Sequence, residues 1–118
     1  KNEPLTIYGT GKQTRCFGHV SDVVDAILKV DNCIEAIGKP INIGVNQEIS
    51  IVELAKKVIE RTGSKSTIEY QSYEEAYSQG FEDMERRVPD NALLRKLTTW
   101  SPLKNIEDII DDLVAHLA

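Results

Sequence analysis

An amphipathic helix predicted between residues 50 and 63 places the strongest constraint on the fold. It begins with Ser50-Ile51-Val52-Glu53, a capping box whose serine and glutamate side chains satisfy free backbone amides at a helix start. Apolar residues then recur at helical spacing, and Gly63 is a typical helix terminator. Residues 41–44 and 67–71 on either side predict short strands, so strand and helix alternate along this part of the chain.

The amino-terminal part extends this alternation. Residues 4–8 alternate apolar and polar side chains and predict a strand, which ends in a glycine-containing turn at residues 9–12. Residues 14–20 predict a second strand that returns beside the first as a hairpin. Ser21 is the predicted N-cap of a helix that continues to about Asn32.

The carboxy-terminal part is mainly helical. Residues 73–78 predict a helical turn, Asp90 the cap of a short helix, and Asn105 the cap of a final amphipathic helix. Three or four short strands alternating with four helices predict an α/β fold. Such short apolar strands normally belong to a larger buried sheet. Because the chain also enters a strand without an initiator methionine, we expect residues 1–118 to be a single fragment of a longer protein.

Composition excludes several classes of function. The formal net charge of -5 disfavours nucleic-acid binding, which usually needs a basic face. No apolar run approaches the roughly 20 residues of a membrane helix, and no signal peptide is present, so we expect a cytoplasmic protein. Cys16 and Cys33 lack metal-ligand spacing and are expected to be reduced thiols.

An arginine pair lies in a predicted loop at residues 80–90, which Gly80 and Pro89 delimit. Arg86 and Arg87 are candidates for a phosphate or carboxylate clamp, because a guanidinium group pairs with two oxygens at once. The alternative is a solvated loop, in which these arginines pair with the neighbouring acidic residues Glu82, Asp83 and Glu85. Charge alone leaves both readings open.

The residues predict neither a catalytic group nor a metal site. Tyr8 and Lys12 have the Tyr-x-x-x-Lys spacing of a dehydrogenase acid/base pair, but Gly9 and Gly11 between them disfavour the required helix. His19 lies at a predicted strand-to-helix junction and is expected to be a structural, hydrogen-bonded side chain.

Several segments, taken together, resemble the extended short-chain dehydrogenase/reductases that act on nucleotide sugars. Residues 6–24 resemble that family's hairpin, arginine and His-Val-Asp-Asp-Val segment, and residues 42–55 resemble its last sheet strand and following helix. Residues 86–90 resemble its Arg-x-Pro-Asp motif, and Trp100 with Pro102 resembles its Gly-Trp-x-Pro motif. The order of the motifs is similar to that of UDP-glucose 4-epimerase-like epimerases, dTDP-sugar dehydratases and UDP-glucuronate decarboxylases.

The resemblance implies the carboxy-terminal, substrate-side portion of a Rossmann-type enzyme of the NAD-dependent epimerase/dehydratase family. The family's amino-terminal part, which carries the NAD turn and the catalytic residues, is not among these 118 residues. The resemblance implies that Arg15 and Arg87, with Arg86, contact the diphosphate of a UDP- or dTDP-sugar. The chain alone is then expected neither to bind NAD nor to catalyse the reaction.

Two alternatives remain beside that reading. One is a free-standing binding or protein-interaction module without catalysis, and the other is a helical interaction domain whose arginine loop is merely solvated. Unpaired strands and apolar helix stripes also predict that the isolated chain self-associates.

Overall fold

Strands and helices alternate along the chain in the computed structural model, which describes residues 1–76 and 83–118. Ser78 of the predicted helical turn and Gly80, Phe81 and Glu82 of the predicted loop lie outside the described residues. The main elements are, in chain order, β1 (Leu5–Tyr8), β2 (Thr14–Cys16), α1 (Val20–Asp31), β3 (Glu48–Ser50), α2 (Ile51–Thr62), β4 (Ile68–Gln71), α3 (Tyr73–Ala76), α4 (Ala92–Leu97) and α5 (Ile106–Leu117). A short 3-10 helix, Ile34–Ala36, lies between α1 and β3.

The elements fall into two units, and the predicted α/β class is confirmed. The first unit takes residues 1–15 and 49–87, and the second takes residues 16–48 and 88–118. The four predicted helices are present, and α3 corresponds to the predicted turn at residues 73–78.

The first unit is organised by a parallel strand pair. β1 pairs with β4 in the register Leu5 to Ile68 through Tyr8 to Gln71. β2 pairs with β3 instead, so the predicted hairpin between residues 4–8 and 14–20 is wrong. The glycine turn between β1 and β2 is nevertheless present. The partner of β1 lies far along the chain, because a parallel pair cannot be closed by a short turn.

Helix α2 confirms the strongest prediction from the sequence. The Ser50 side chain accepts from the Glu53 amide, and the Glu53 carboxylate accepts from the Ser50 amide, which completes the capping box. Gly63 ends the helix with φ at 61°, in the left-handed region that favours glycine. The helix lies against β1, where Ala55 and Ile7 are buried.

The second unit is built around a small apolar core of Ala26, Val45, Leu94 and Trp100. Residues 41–44, predicted as a strand, form no strand, and this prediction is wrong. Ile41 and Ile43 pack against the core instead, while the Gly44 carbonyl accepts from the buried Asn91 side chain at 2.8 Å. Burial of apolar side chains therefore produced a strand-like sequence pattern without a strand ladder.

The caps of the second unit correct two further predictions. His19, not Ser21, is the N-cap of α1, and its Nδ1 accepts from the Ser21 amide. Asn91 is the N-cap residue of α4, although the Asp90 carboxylate still accepts from the Ala92 amide at 3.0 Å.

Asn105 caps α5 as predicted, with a reciprocal hydrogen bond to Asp108. In the described part of the chain, no helix has the length and apolar character needed to span a membrane.

Candidate functional site

The turn between β1 and β2 positions the first candidate residue, Arg15. Gly9 and Gly11 adopt φ values of 75° and 72°, which only glycine adopts readily. The first amides of α2 then hold the turn, because Ile51 donates to the Gln13 carbonyl and Val52 to the Gly11 carbonyl, both at 3.0 Å. Arg15 lies in β2, which follows this turn, so a well-capped helix and a glycine turn fix its backbone.

The Arg15 side chain is already engaged. Its Nη1 donates to the Thr14 carbonyl at 2.7 Å, and its Nη2 pairs with the Asp83 carboxylate at 2.5 Å. The Arg15 side chain is 20% exposed and that of Asp83 is 33% exposed. The ion pair is therefore partly open to solvent, where such pairs contribute about 0.2–1 kcal/mol.

A hydrogen-bonded chain extends from this ion pair. The Tyr73 hydroxyl donates to the second Asp83 oxygen at 3.2 Å and accepts from Gln13 Nε2 at 3.1 Å. Gln13 Nε2 also donates to the Tyr8 carbonyl at 3.0 Å. Two different donors, a guanidinium and a phenol, thus hold the two oxygens of one carboxylate.

The segment around Arg86 lies beside Arg15 through the backbone. The Thr14 amide donates to the Glu85 carbonyl at 2.8 Å, and Thr14 forms an isolated parallel bridge with Arg86. Arg86 and Arg87 are both exposed. The structure therefore brings the strand of Arg15 and the segment of Arg86 together, although the two lie far apart in the sequence.

The sequence does not identify Asp83, Tyr73 or Gln13 as members of this cluster. It presents Asp83 only as a partner of the neighbouring arginines Arg86 and Arg87, whereas Asp83 pairs with Arg15. No local pattern signals a contact between residues that are 68 positions apart.

A second polar network lies in the other unit, at the start of α1. The Asp112 carboxylate accepts from Lys104 Nζ at 2.6 Å and lies 2.9 Å from His19 Nε2. The hydrogen bond from Lys104 lowers the pKa of Asp112, and the same bond raises the pKa of Lys104. His19 thus joins α1 and α5, in agreement with its predicted structural role.

Metal chemistry finds no support in the parts of the chain that the structure describes. Among residues 1–76 and 83–118, no group of three His, Cys, Asp or Glu side chains is arranged to hold an ion. Cys16 and Cys33 are reduced thiols, each partly buried.

Solved structures define the class of fold first. The structure of dTDP-glucose 4,6-dehydratase from Bacillus anthracis in complex with NAD is 26% identical and superimposes with a TM-score of 0.79. The match covers 96% of this chain and 34% of that chain. The α/β arrangement of these 118 residues is therefore one found within a larger enzyme fold.

Sequence comparisons then define the family. The sequence model of the GDP-mannose 4,6 dehydratase family matches residues 1–113. The UDP-N-acetyl-alpha-D-glucosaminuronate decarboxylase of Bacillus cytotoxicus is 40% identical over 103 residues, which are 86% of this chain and 32% of that protein. UDP-glucuronic acid decarboxylase 1 of Xenopus tropicalis is 34% identical over 108 residues, 92% of this chain and 24% of that protein.

The chain belongs to the GDP-mannose 4,6-dehydratase family, within the extended short-chain dehydrogenase/reductases that act on nucleotide sugars. It spans about a third or less of the length of these relatives. Its homologues include nucleotide-sugar decarboxylases and dehydratases, and it matches part of each of them.

Proposed function

We propose that this chain binds the diphosphate of a UDP- or dTDP-sugar, with Arg15 and Arg87 as the main contacts and Arg86 beside them. In this proposal it is the carboxy-terminal, substrate-side part of a cytoplasmic NAD-dependent epimerase, dehydratase or decarboxylase. The NAD-binding part lies outside the 118 residues. The chain alone neither binds NAD nor catalyses the reaction.

The observation that carries the proposal is the ion pair between Arg15 and the carboxylate of Asp83. The Arg15 guanidinium is paired with this carboxylate beside the backbone segment that leads to Arg86 and Arg87. A guanidinium offers several donors in a fixed plane, which suits the adjacent oxygens of a diphosphate. Family membership supplies the expected ligand, since the relatives named above act on UDP- and dTDP-sugars.

In the larger enzyme, NAD would supply the redox chemistry, and this contact by Arg15 would hold the sugar in position for it. The cofactor supplies the redox chemistry, and the protein supplies binding and orientation. A diphosphate clamp contributes to binding and orientation, because a ligand held in place reacts from a smaller set of geometries.

Titration of UDP-glucose into the chain tests the proposal, with backbone amide spectra as the readout of weak binding. Arg15→Ala and Arg87→Ala should each weaken binding about tenfold or more, the effect of losing a hydrogen bond to a charged group. Arg95→Ala, which removes an exposed arginine on α4, should change nothing. Unchanged affinity in both clamp variants rejects the proposal.

The second candidate function is a non-catalytic module that associates with another copy of itself. The apolar face of α1 favours it, because Val20, Val24, Ile27 and Leu28 are each about half exposed or more. Exposed apolar patches on one helix face are typical of interaction surfaces. The two candidates differ in their ligand, a diphosphate in the first and a protein surface in the second.

A further inference from the structure

The Asp83 carboxylate occupies the donors that an external anion would need. Arg15 Nη2 lies 2.5 Å from one of its oxygens, and the Tyr73 hydroxyl lies 3.2 Å from the other. A phosphate group likewise presents adjacent oxygens that accept from two separate donors. The pair formed by Arg15 and Tyr73 is therefore a two-donor anion site whose occupant belongs to the chain itself.

The donor role of Tyr73 follows from its neighbours. Gln13 Nε2 donates to the Tyr8 carbonyl, which identifies the amide nitrogen of that side chain, and it also donates to the phenol oxygen. Because the phenol oxygen accepts from Gln13, its own hydrogen is directed to Asp83. Tyr73 therefore presents a donor at this point, whichever anion receives it.

The position of the Tyr73 ring is fixed by the glycine turn. A Cβ atom placed on Gly9 would lie 2.6 Å from Cε2 of the ring, closer than side-chain atoms approach. The Tyr73 ring therefore packs directly on the Gly9 backbone, in the space that the side chain of any other residue at position 9 would fill. The glycine turn and the Gln13 side chain together fix the position of the Tyr73 hydroxyl as a donor.

The occupant is held loosely enough to exchange. Asp83 is one-third exposed, and a partly exposed ion pair of this kind is weak. A diphosphate carries more charge than one carboxylate, so it competes for the same guanidinium with an electrostatic advantage.

Resting on the proposed function, we propose that Asp83 is an internal competitor of the diphosphate, and that Tyr73 is a second ligand-binding donor beside Arg15. Binding of the diphosphate then exchanges one anion for another at the same two donors. The carboxylate returns when the ligand leaves, which keeps Arg15 paired and oriented. This exchange sets the affinity of the site below the value that Arg15 and Tyr73 alone would give.

Dissociation constants for UDP, measured from amide shifts of the 118-residue chain, test the competition. Asp83→Asn keeps the size of the side chain and removes its charge, so UDP should bind about two- to fivefold more tightly. Glu85→Gln removes an equal charge from an exposed residue two positions away and should leave the affinity nearly unchanged. Unchanged or weaker binding in Asp83→Asn, or an equal gain in Glu85→Gln, overturns the proposal.

The Asp83→Asn background isolates the role of Tyr73. There Tyr73→Phe should weaken UDP binding about two- to tenfold, the range for one lost hydrogen bond, while the ring stays in place. In the unmodified chain, UDP should also shift the ring resonances of Tyr73. Absence of both effects overturns the role of Tyr73.

Arg15→Ala in the same background separates this inference from the proposed function. If Arg15→Ala abolishes the gain, the clamp and the competition both stand. If it leaves UDP binding unchanged, the proposed function fails. If it weakens binding while Asp83→Asn gives no gain, only the competition fails.

Discussion

The indole Nε1–H of Trp100 donates to the backbone carbonyl of Asp22 at 2.8 Å, across 78 positions of the sequence. The Asp22 side chain, which is buried, accepts from the Leu103 amide at 3.0 Å and from the Lys104 amide at 3.1 Å. Asp22 thus joins α1 to the segment that precedes α5. The role of Asp22 is therefore structural.

Asp22→Asn should destabilise the chain by about 1–3 kcal/mol, because a buried acceptor of two backbone amides loses its charge and one acceptor oxygen. The matched control is Asp25→Asn on the same helix. Asp25 pairs with Lys29 at the surface, so its loss should cost less than about 0.5 kcal/mol. Urea unfolding measures both, and equal effects would contradict the role assigned to Asp22.

Gly9→Ala should cost about 1–2 kcal/mol for the positive φ and should also displace Tyr73. Gly38→Ala is a close control, because Gly38 has φ at 76° and, among the described residues, no atom lies within 4 Å of the position that a Cβ would take there. It should show the backbone cost without the displacement. Aromatic resonances of Tyr73 should move in Gly9→Ala alone, and identical spectra for both variants would contradict the packing described for the turn.

The prediction of pH dependence concerns the Asp112 network. The pKa of Asp112 is lowered below its ordinary value of 3.8 by the hydrogen bond from Lys104, with a smaller contribution from His19. A carboxyl with a lowered folded-state pKa adds stability at pH values above the unfolded pKa, and that stability is lost as the pH falls through the folded pKa. Asp112→Asn should therefore lower the melting temperature at pH 7 and not at pH 2.

Lys104 sets the upper pH limit of the stability that the same network provides, whereas Asp112 sets the lower one. The pKa of Lys104 is raised above 10.5, so its contribution is present below that pH and lost as the pH rises through the folded pKa. The double variant Lys104→Gln/Asp112→Asn should melt like Asp112→Asn at both acidic and neutral pH. A further large loss at pH 7 in the double variant would show that the ion pair is not the source of the effect.

The apolar face of α1 predicts association between copies of the chain. Light scattering at increasing concentration should show a mass above 13.2 kDa. Ile27→Lys on this face should shift the mass toward the monomer, because a charge opposes burial of the patch. Leu103→Lys changes an exposed apolar residue elsewhere and should not. A monomer at every concentration would contradict the prediction.

Local signals account for what the sequence predicts well. The capping box at Ser50, the cap at Asn105 and the terminator Gly63 each depend on residues a few positions apart, and all three are confirmed. Strand pairing depends on distant partners, so the hairpin prediction fails because β1 pairs with β4. The strand prediction for residues 41–44 fails for another reason, since apolar burial alone does not require a ladder.

The candidate site shows the same division. Residue chemistry indicates Arg86 and Arg87, and the family resemblance adds Arg15. The comparisons support that resemblance at the level of the family. Their role toward a diphosphate stays a prediction. Asp83 and Tyr73 become visible only when the fold brings them to Arg15.

The affinity ratio between UDP and uridine tests the central claim most directly, because the two ligands differ by the diphosphate alone. The unmodified chain should bind UDP more tightly than uridine, and Arg15→Ala should reduce that preference by about tenfold. Arg15→Lys, which keeps the charge and loses the planar fork, should fall between them. An equal preference for UDP in the unmodified chain and in Arg15→Ala would contradict the claim that Arg15 binds the diphosphate.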